Sequence, residues 1–176
     1  AYRIINNYPD FILSLKPETA TRTISKLLMS RTNLCMSHLL LLSLVMNDKI
    51  KDNLLPKGFH QSLYDTLNDD SDIMRLFITA EIIAIHAKAR PKRIQSFVRI
   101  IDSINFQSND SHIIVKCVLL AALFSHVSLD GETITNFMHE LDGIAMMSEE
   151  YTIFALHALS IIFIEHGMKV SLTEIV

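Results

Sequence analysis

The chain has 176 residues, about one domain's worth and enough to bury a core. Its 49% hydrophobic content and net charge of −3 argue against intrinsic disorder and against a general affinity for nucleic acid or anionic membrane. Four glycines and four prolines are too few turn-formers for a β-sandwich or a doubly wound α/β fold of this size, so the composition points to helices. The two cysteines, Cys35 and Cys117, sit in apolar segments and read as reduced, buried thiols.

In chain order, residues 2–15 lack the long apolar run of a signal peptide. They are expected to supply a partial helix with Pro9 near its start. A helix pair follows at about 18–30 and 33–46, the second capped by Thr32 or Asn33. An irregular link at 47–57, with Pro56 and the adjoining Gly58, leads to a second pair at about 58–67 and 71–88, with Ser71 as cap. The third pair is expected at about 91–106 and 110–127. Pro91 occupies its first turn, where a missing N–H is harmless, and Asp110 or Ser111 provides the later cap. The sequon Asn109-Asp110-Ser111 is read as this cap and not as a glycosylation site. After the turn Leu129-Asp130-Gly131 comes a fourth pair, about 131–145 and 149–166, with Ser148 ahead of its second helix and Gly167 closing it. Leu172 to Val176 is expected to begin a further helix, so the chain reads as a fragment of a longer polypeptide. The most apolar runs, Ile113–Val127 and Ile153–Ile164, are broken by Lys116 or fall short of the ~20 residues a bilayer requires.

These pairs repeat. Four long apolar segments, Leu34–Met46, Ile73–Ala87, Ile113–Val127 and Tyr151–His166, recur about every 38–40 residues. Shorter amphipathic segments alternate with them. Ile94, Phe97, Val98, Ile101 and Ile104 keep helical spacing, and so do Ile134, Phe137, Met138, Leu141 and Ile144, forty residues later. Weaker counterparts are Leu54, Gln61 and Tyr64, and before them Ile24, Leu27 and Leu28. The long helices are apolar nearly all round, so each must be covered on most sides by its own partner and by the long helices before and after it.

Two stretches carry a resemblance. Asp72-Ile73-Met74-Arg75 leads to Ala80, and Ile114-Val115-Lys116 leads to Ala121-Ala122-Leu123. An apolar residue followed by a base, and then a small residue where the second helix packs closely, resembles the HEAT-repeat family. Cys35-Met36 and Phe154-Ala155 lack the basic residue, so an armadillo-like superhelix stays open as an alternative. The resemblance covers roughly residues 18–170. It implies an all-α, right-handed α-α superhelix of about four helix pairs, at 18–46, 58–88, 91–127 and 131–166, between a partial helix at 1–17 and a further one starting at 171–176. The reduced thiols and the missing signal peptide lead to the expectation of an intracellular protein, cytoplasmic or nuclear, and the long faces of a repeat solenoid to that of a protein–protein interaction scaffold within a larger assembly, not an enzyme.

Little else in the sequence carries chemistry. His86, His126 and His166 recur at forty residues near helix ends. Equivalent positions on stacked helices lie roughly 10 Å apart, too far to share a metal ion. They read as structural or surface histidines, whereas His38 and His157, inside apolar helices, read as core histidines. Asp69, Asp70, Asp72, Asp130 and Glu132 fall at turns or helix starts, where capping explains them. No phosphate loop, nucleophile elbow or Cys–His signature is present, so neither a catalytic residue nor a cofactor or metal is expected. Met36, Met46, Met74, Met146 and Met147 are expected to fill the core, the alternative being an adaptable binding surface.

The candidate partner-binding residues are Lys88, Arg90, Lys92 and Arg93, four cations in six residues, with Arg99 nearby. They could grip the phosphates of a nucleic acid or an acidic peptide, or form a solvated turn. No aromatic residue interleaves with them, so base stacking is not indicated. Arg22, Lys26 and Arg31 extend the surface only if the superhelix brings them to the same side. Other protein chains are the expected partners. Self-association is expected through the faces left open at the two ends, near Tyr2–Leu15 and Leu156–Val176.

Overall fold

The computed structural model describes residues 2–30, 34–47, 49–50, 52–68, 73–88, 91–103 and 110–166. Among these the chain is all-helical, with no strand. It divides into two compact units, Ala1–Arg90 and Pro91–Val176. No helix among the described residues is long and apolar enough to cross a membrane.

The first unit holds α1 (Tyr2–Ser14), α2 (Pro17–Leu28), α3 (Leu34–Val45), a 3-10 turn (Asp52–Leu54), α4 (Phe59–Asn68) and α5 (Ile73–Lys88). α1 continues through Pro9, which is buried inside the helix and not near its start as the sequence suggests. α2 begins on Pro17, and Lys16 before it is extended (φ −60°, ψ 143°), the conformation that a following proline favours. Ala20, Ile24 and Leu28, spaced four apart, form its buried stripe. α2 also holds the link: the Thr21 hydroxyl donates to the Leu54 carbonyl at 3.0 Å. The link then turns at Gly58, whose φ of +76° suits a residue without Cβ, and α4 starts at the next position. α3 packs against α1, α2 and α5. On α5, Ala80, Ala84 and Ala87 are buried beside Leu76, Ile82 and Ile83, and these small residues permit close approach of a neighbouring helix.

The second unit holds α6 (Pro91–Ser103), α7 (Asp110–His126), α8 (Gly131–Ala145) and α9 (Glu149–His166). α7 is its centre, packed against α6, α8 and α9, and every residue from Val115 to Phe124 is buried. α8 turns Ile134, Phe137, Leu141 and Ile144 inward. α9 buries Tyr151, Ala155, Ala158 and Ile162, a regular helical stripe, but its other side is open: Ile153, Leu156 and Ile164 are exposed. α7 is covered on most sides as expected, and α9 exposes Leu156 and Ile164 within the stretch Leu156–Val176 where an open face is expected.

The helix termini flanked by described residues on both sides fall within two residues of the expected positions. Of the expected caps, Ser148 accepts the Tyr151 N–H (3.3 Å) ahead of α9. Asp110 is already inside α7, so it does not precede the helix as a cap must. Thr32, Asn33, Ser71, Gly167, the cluster Asp69, Asp70 and Asp72, and the expected helix from Leu172 lie outside the described residues.

Asp130 caps α8. Its carboxylate accepts the Thr133 N–H at 2.8 Å and the Thr133 hydroxyl at 2.8 Å, and these two bonds hold the carboxyl below its usual range. A lowered folded-state pKa contributes stability above the unfolded value of about 3.9 that is lost as the pH falls through the folded value. Asp130→Ala should therefore speed amide exchange in the first turn of α8 at neutral pH. Its difference from the parent should shrink on acidification, whereas Asp130→Asn, which keeps an acceptor at every pH, should lie closer to the parent throughout.

Candidate functional site

The basic residues fall on two elements. Lys88 is exposed in the last turn of α5, where a cation suits the negative end of the helix dipole. Arg90 lies outside the described residues. On α6, Lys92 and Arg99 are exposed and Arg93 is half-buried. Lys88 belongs to the first unit and the α6 residues to the second, so only Lys92, Arg93 and Arg99 share one described body. Of the possible extensions, Arg22 and Lys26 are exposed on α2 in the first unit, and Arg31 is outside the described residues.

α6 is strongly two-faced. Phe97 and Ile101 are completely buried, and Lys92, Gln95, Ser96, Arg99 and Asp102 are exposed. Spacings of four and three align Lys92, Ser96 and Arg99 along one stripe. The Ser96 hydroxyl donates to the Lys92 carbonyl at 3.0 Å, the local bond a helical serine makes one turn back. The cations of this stripe stand out in the sequence as a charge cluster, and the serine between them does not. The spacing Arg93-Ile94-Gln95-Ser96 was the signal for it.

The evenly spaced histidines separate into different surroundings. His86 is buried, and its Nδ1 lies 2.6 Å from Nε2 of His60, so one of these nitrogens carries the shared proton. The two rings are nearly parallel (20°) with centroids 4.4 Å apart, and Phe59 meets His86 edge-on at 5.4 Å. His86 thus acts as a core group tying α4 to α5, and the surface alternative falls away for it. His126 is half-buried, and the side chain of His166 is outside the described residues. His38 is fully buried as expected, but His157 is exposed on the open side of α9, which corrects its reading as a core histidine. No signal in the sequence marked His60, because its partner is 26 residues away on another helix.

The five methionines expected in the core are all exposed: Met36, Met46, Met74, Met146 and Met147. They sit at helix ends or in the turns beside them, where the chain leaves the packed layer.

One charge is deeply buried. Lys116, in the middle of α7, pairs through Nζ with Oε1 of Glu140 on α8. The Lys116 side chain is 3% exposed and that of Glu140 27% exposed. Beside it, burial pushes the Cys117 thiol up to about 12, so it stays protonated and a poor nucleophile at neutral pH. The side chain of Cys35 is outside the described residues. Among the described residues no three His, Cys, Asp or Glu side chains gather where they could hold a metal ion. Comparison with protein-family models, curated proteins and solved structures finds nothing that matches this chain.

Proposed function

We propose that the chain is a HEAT-like α-solenoid segment acting as a protein–protein interaction scaffold in a larger assembly. The observation that carries the reading is how the apolar helices pack. α3 lies against both α1 and α5, and α7 lies against α9, each pair two elements apart in the chain. The intervening helices α2 and α8 pack on their apolar neighbours and keep a polar outer face. A solenoid is built this way: no unit buries its apolar face alone, and stacking leaves a long polar surface for a partner. On this reading the partner is another protein chain, engaged along the outer faces of successive helices, and the segment carries no catalytic role. Affinity capture of the chain followed by cross-link mapping tests it. Cross-links to another chain should concentrate on exposed positions of α2, α6 and α8, such as Lys26, Lys92 and Glu132. Absence of any cross-link to a second chain would remove the scaffold.

A second reading has one observation in its favour, the exposure of Lys92 and Arg99 on one stripe of α6. Here the basic residues bind a nucleic acid or an acidic peptide. Replacing Lys88, Arg90, Lys92 and Arg93 by Glu should then abolish salt-sensitive binding to a single-stranded oligonucleotide. Each lost phosphate contact should flatten the dependence of log K on log salt by about 0.7. Unchanged affinity and slope would remove this reading.

A further inference from the structure

The stripe on α6 contains a hydroxyl that neither reading uses. The sequence around it is Lys92-Arg93-Ile94-Gln95-Ser96-Phe97. An arginine three residues before a serine, a second base four before it and an apolar residue after it form a pattern suited to an arginine-directed protein kinase. Carboxylates of such a kinase can hold the guanidinium by paired charge-assisted hydrogen bonds. Ser96 is exposed, and its bond to the Lys92 carbonyl is a local one that water can replace.

The chain supplies its own comparison. Arg22-Thr23-Ile24-Ser25 has the same arginine spacing. Yet Ser25 is half-buried, has Thr21 where Ser96 has Lys92, and is followed by Lys26 where Ser96 is followed by Phe97. Only at Ser96 do exposure, a second base and the following apolar residue coincide.

We propose that Ser96 is a phosphoacceptor for an arginine-directed protein kinase, and that its phosphorylation offsets the positive charge on the outer face of α6. In the transfer, the serine Oγ attacks the γ-phosphorus of ATP. The new O–P bond forms as the bond from that phosphorus to the bridging oxygen of ADP breaks, and the hydroxyl proton passes to a carboxylate of the kinase. The product carries about −1.5 to −2 at neutral pH. On the helix it lies one turn from Lys92 (i−4), Arg93 (i−3) and Arg99 (i+3), three positive charges that it largely offsets. Bases one turn away can pair with the phosphate, so the modification changes the charge of the surface.

Access is gated by packing. A kinase takes its acceptor segment extended, but Phe97, next to Ser96, is completely buried, as is Ile101 one turn on. α6 must open locally before transfer, and the rate follows the population of that open form. This proposal rests on neither reading of the partner.

The test is to incubate the full chain with ATP and an arginine-directed kinase and to locate phosphate by mass spectrometry. A synthetic peptide of residues 88–100 serves as the ungated reference. Phosphate should appear on Ser96 and not on Ser25, about tenfold or more slowly in the chain than in the peptide. Val98→Ala, which loosens α6 at a half-buried position, should narrow that gap. Arg93→Ala should abolish labelling of chain and peptide alike, and the labelled chain should elute later from an anion-exchange resin at neutral pH. An unlabelled peptide would overturn the motif. A labelled peptide beside a chain unlabelled at Ser96, with Val98→Ala unlabelled too, would overturn the site in the folded protein. Preferential labelling of Ser25 would overturn the choice of serine.

Discussion

Glu140→Ala should destabilise the second unit by on the order of 3 kcal/mol, whereas Lys116→Met should leave it within about 1 kcal/mol of the parent. The asymmetry follows from where the two charges sit. The Lys116 ammonium is in the middle of α7 with 3% of its side chain exposed, and Glu140 keeps 27% of its side chain in contact with water. Removing the carboxylate strands a buried cation in a helix whose every residue from Val115 to Phe124 is covered. Removing the ammonium leaves a carboxylate that water still reaches. Methionine also matches the length of the lysine stem and suits a buried apolar position, so the transfer term favours it.

Urea unfolding of the second unit would read the difference as a midpoint lowered by roughly 1–2 M for Glu140→Ala and nearly unmoved for Lys116→Met. The double variant is the sharper measurement. With no buried charge left to strand, Lys116→Met should restore most of what Glu140→Ala removes, a coupling of about 2 kcal/mol. Equal losses from the two single variants, with no rescue in the double, would mean that the pair is not what makes this region sensitive.

Helix positions were legible because they depend on neighbours along the chain. The period of the apolar residues, the proline at position 91 and the cap at Ser148 place α2, α6 and α9 to within a few residues. What the sequence withheld was which side of a helix has a neighbour. α7 and α9 read alike, each apolar nearly all round; an open face is expected near Leu156–Val176, but not one that takes in Ile153 and His157. Hydrophobicity marks a residue as suited to burial and says nothing about whether another helix arrives. The exposed methionines misled in the same way. Partners across helices were equally silent: His60 with His86, and Lys116 with Glu140, are joined over 26 and 24 residues. The basic stripe was visible as charge. That Ser96 belongs to it follows from the helical phase of α6, which Phe97 and Ile101 set by being buried.

The contrast between α7 and α9 gives the second large effect. Phe124 is 1% exposed near the end of α7, and its ring meets Phe137 of α8 edge-on, at 79° with centroids 6.1 Å apart. Phe124→Ala removes the buried ring, leaves a cavity and loses the aromatic contact, so the second unit should lose about 3–5 kcal/mol. Phe124→Leu retains most of the volume and should lose only about 1 kcal/mol. If the edge-on contact contributes beyond simple burial, Phe124→Leu and Phe137→Leu together should differ from the sum of the singles by about 0.5–1.5 kcal/mol. Ile164→Ala is the control from α9: a large apolar residue in an equally apolar helix, but 76% exposed, so its loss should change stability by less than about 0.5 kcal/mol. A comparable loss at Ile164 would show that this side of α9 is covered in solution, and a second copy of the chain is one such cover. The loss would then grow with protein concentration, because binding stabilises by mass action.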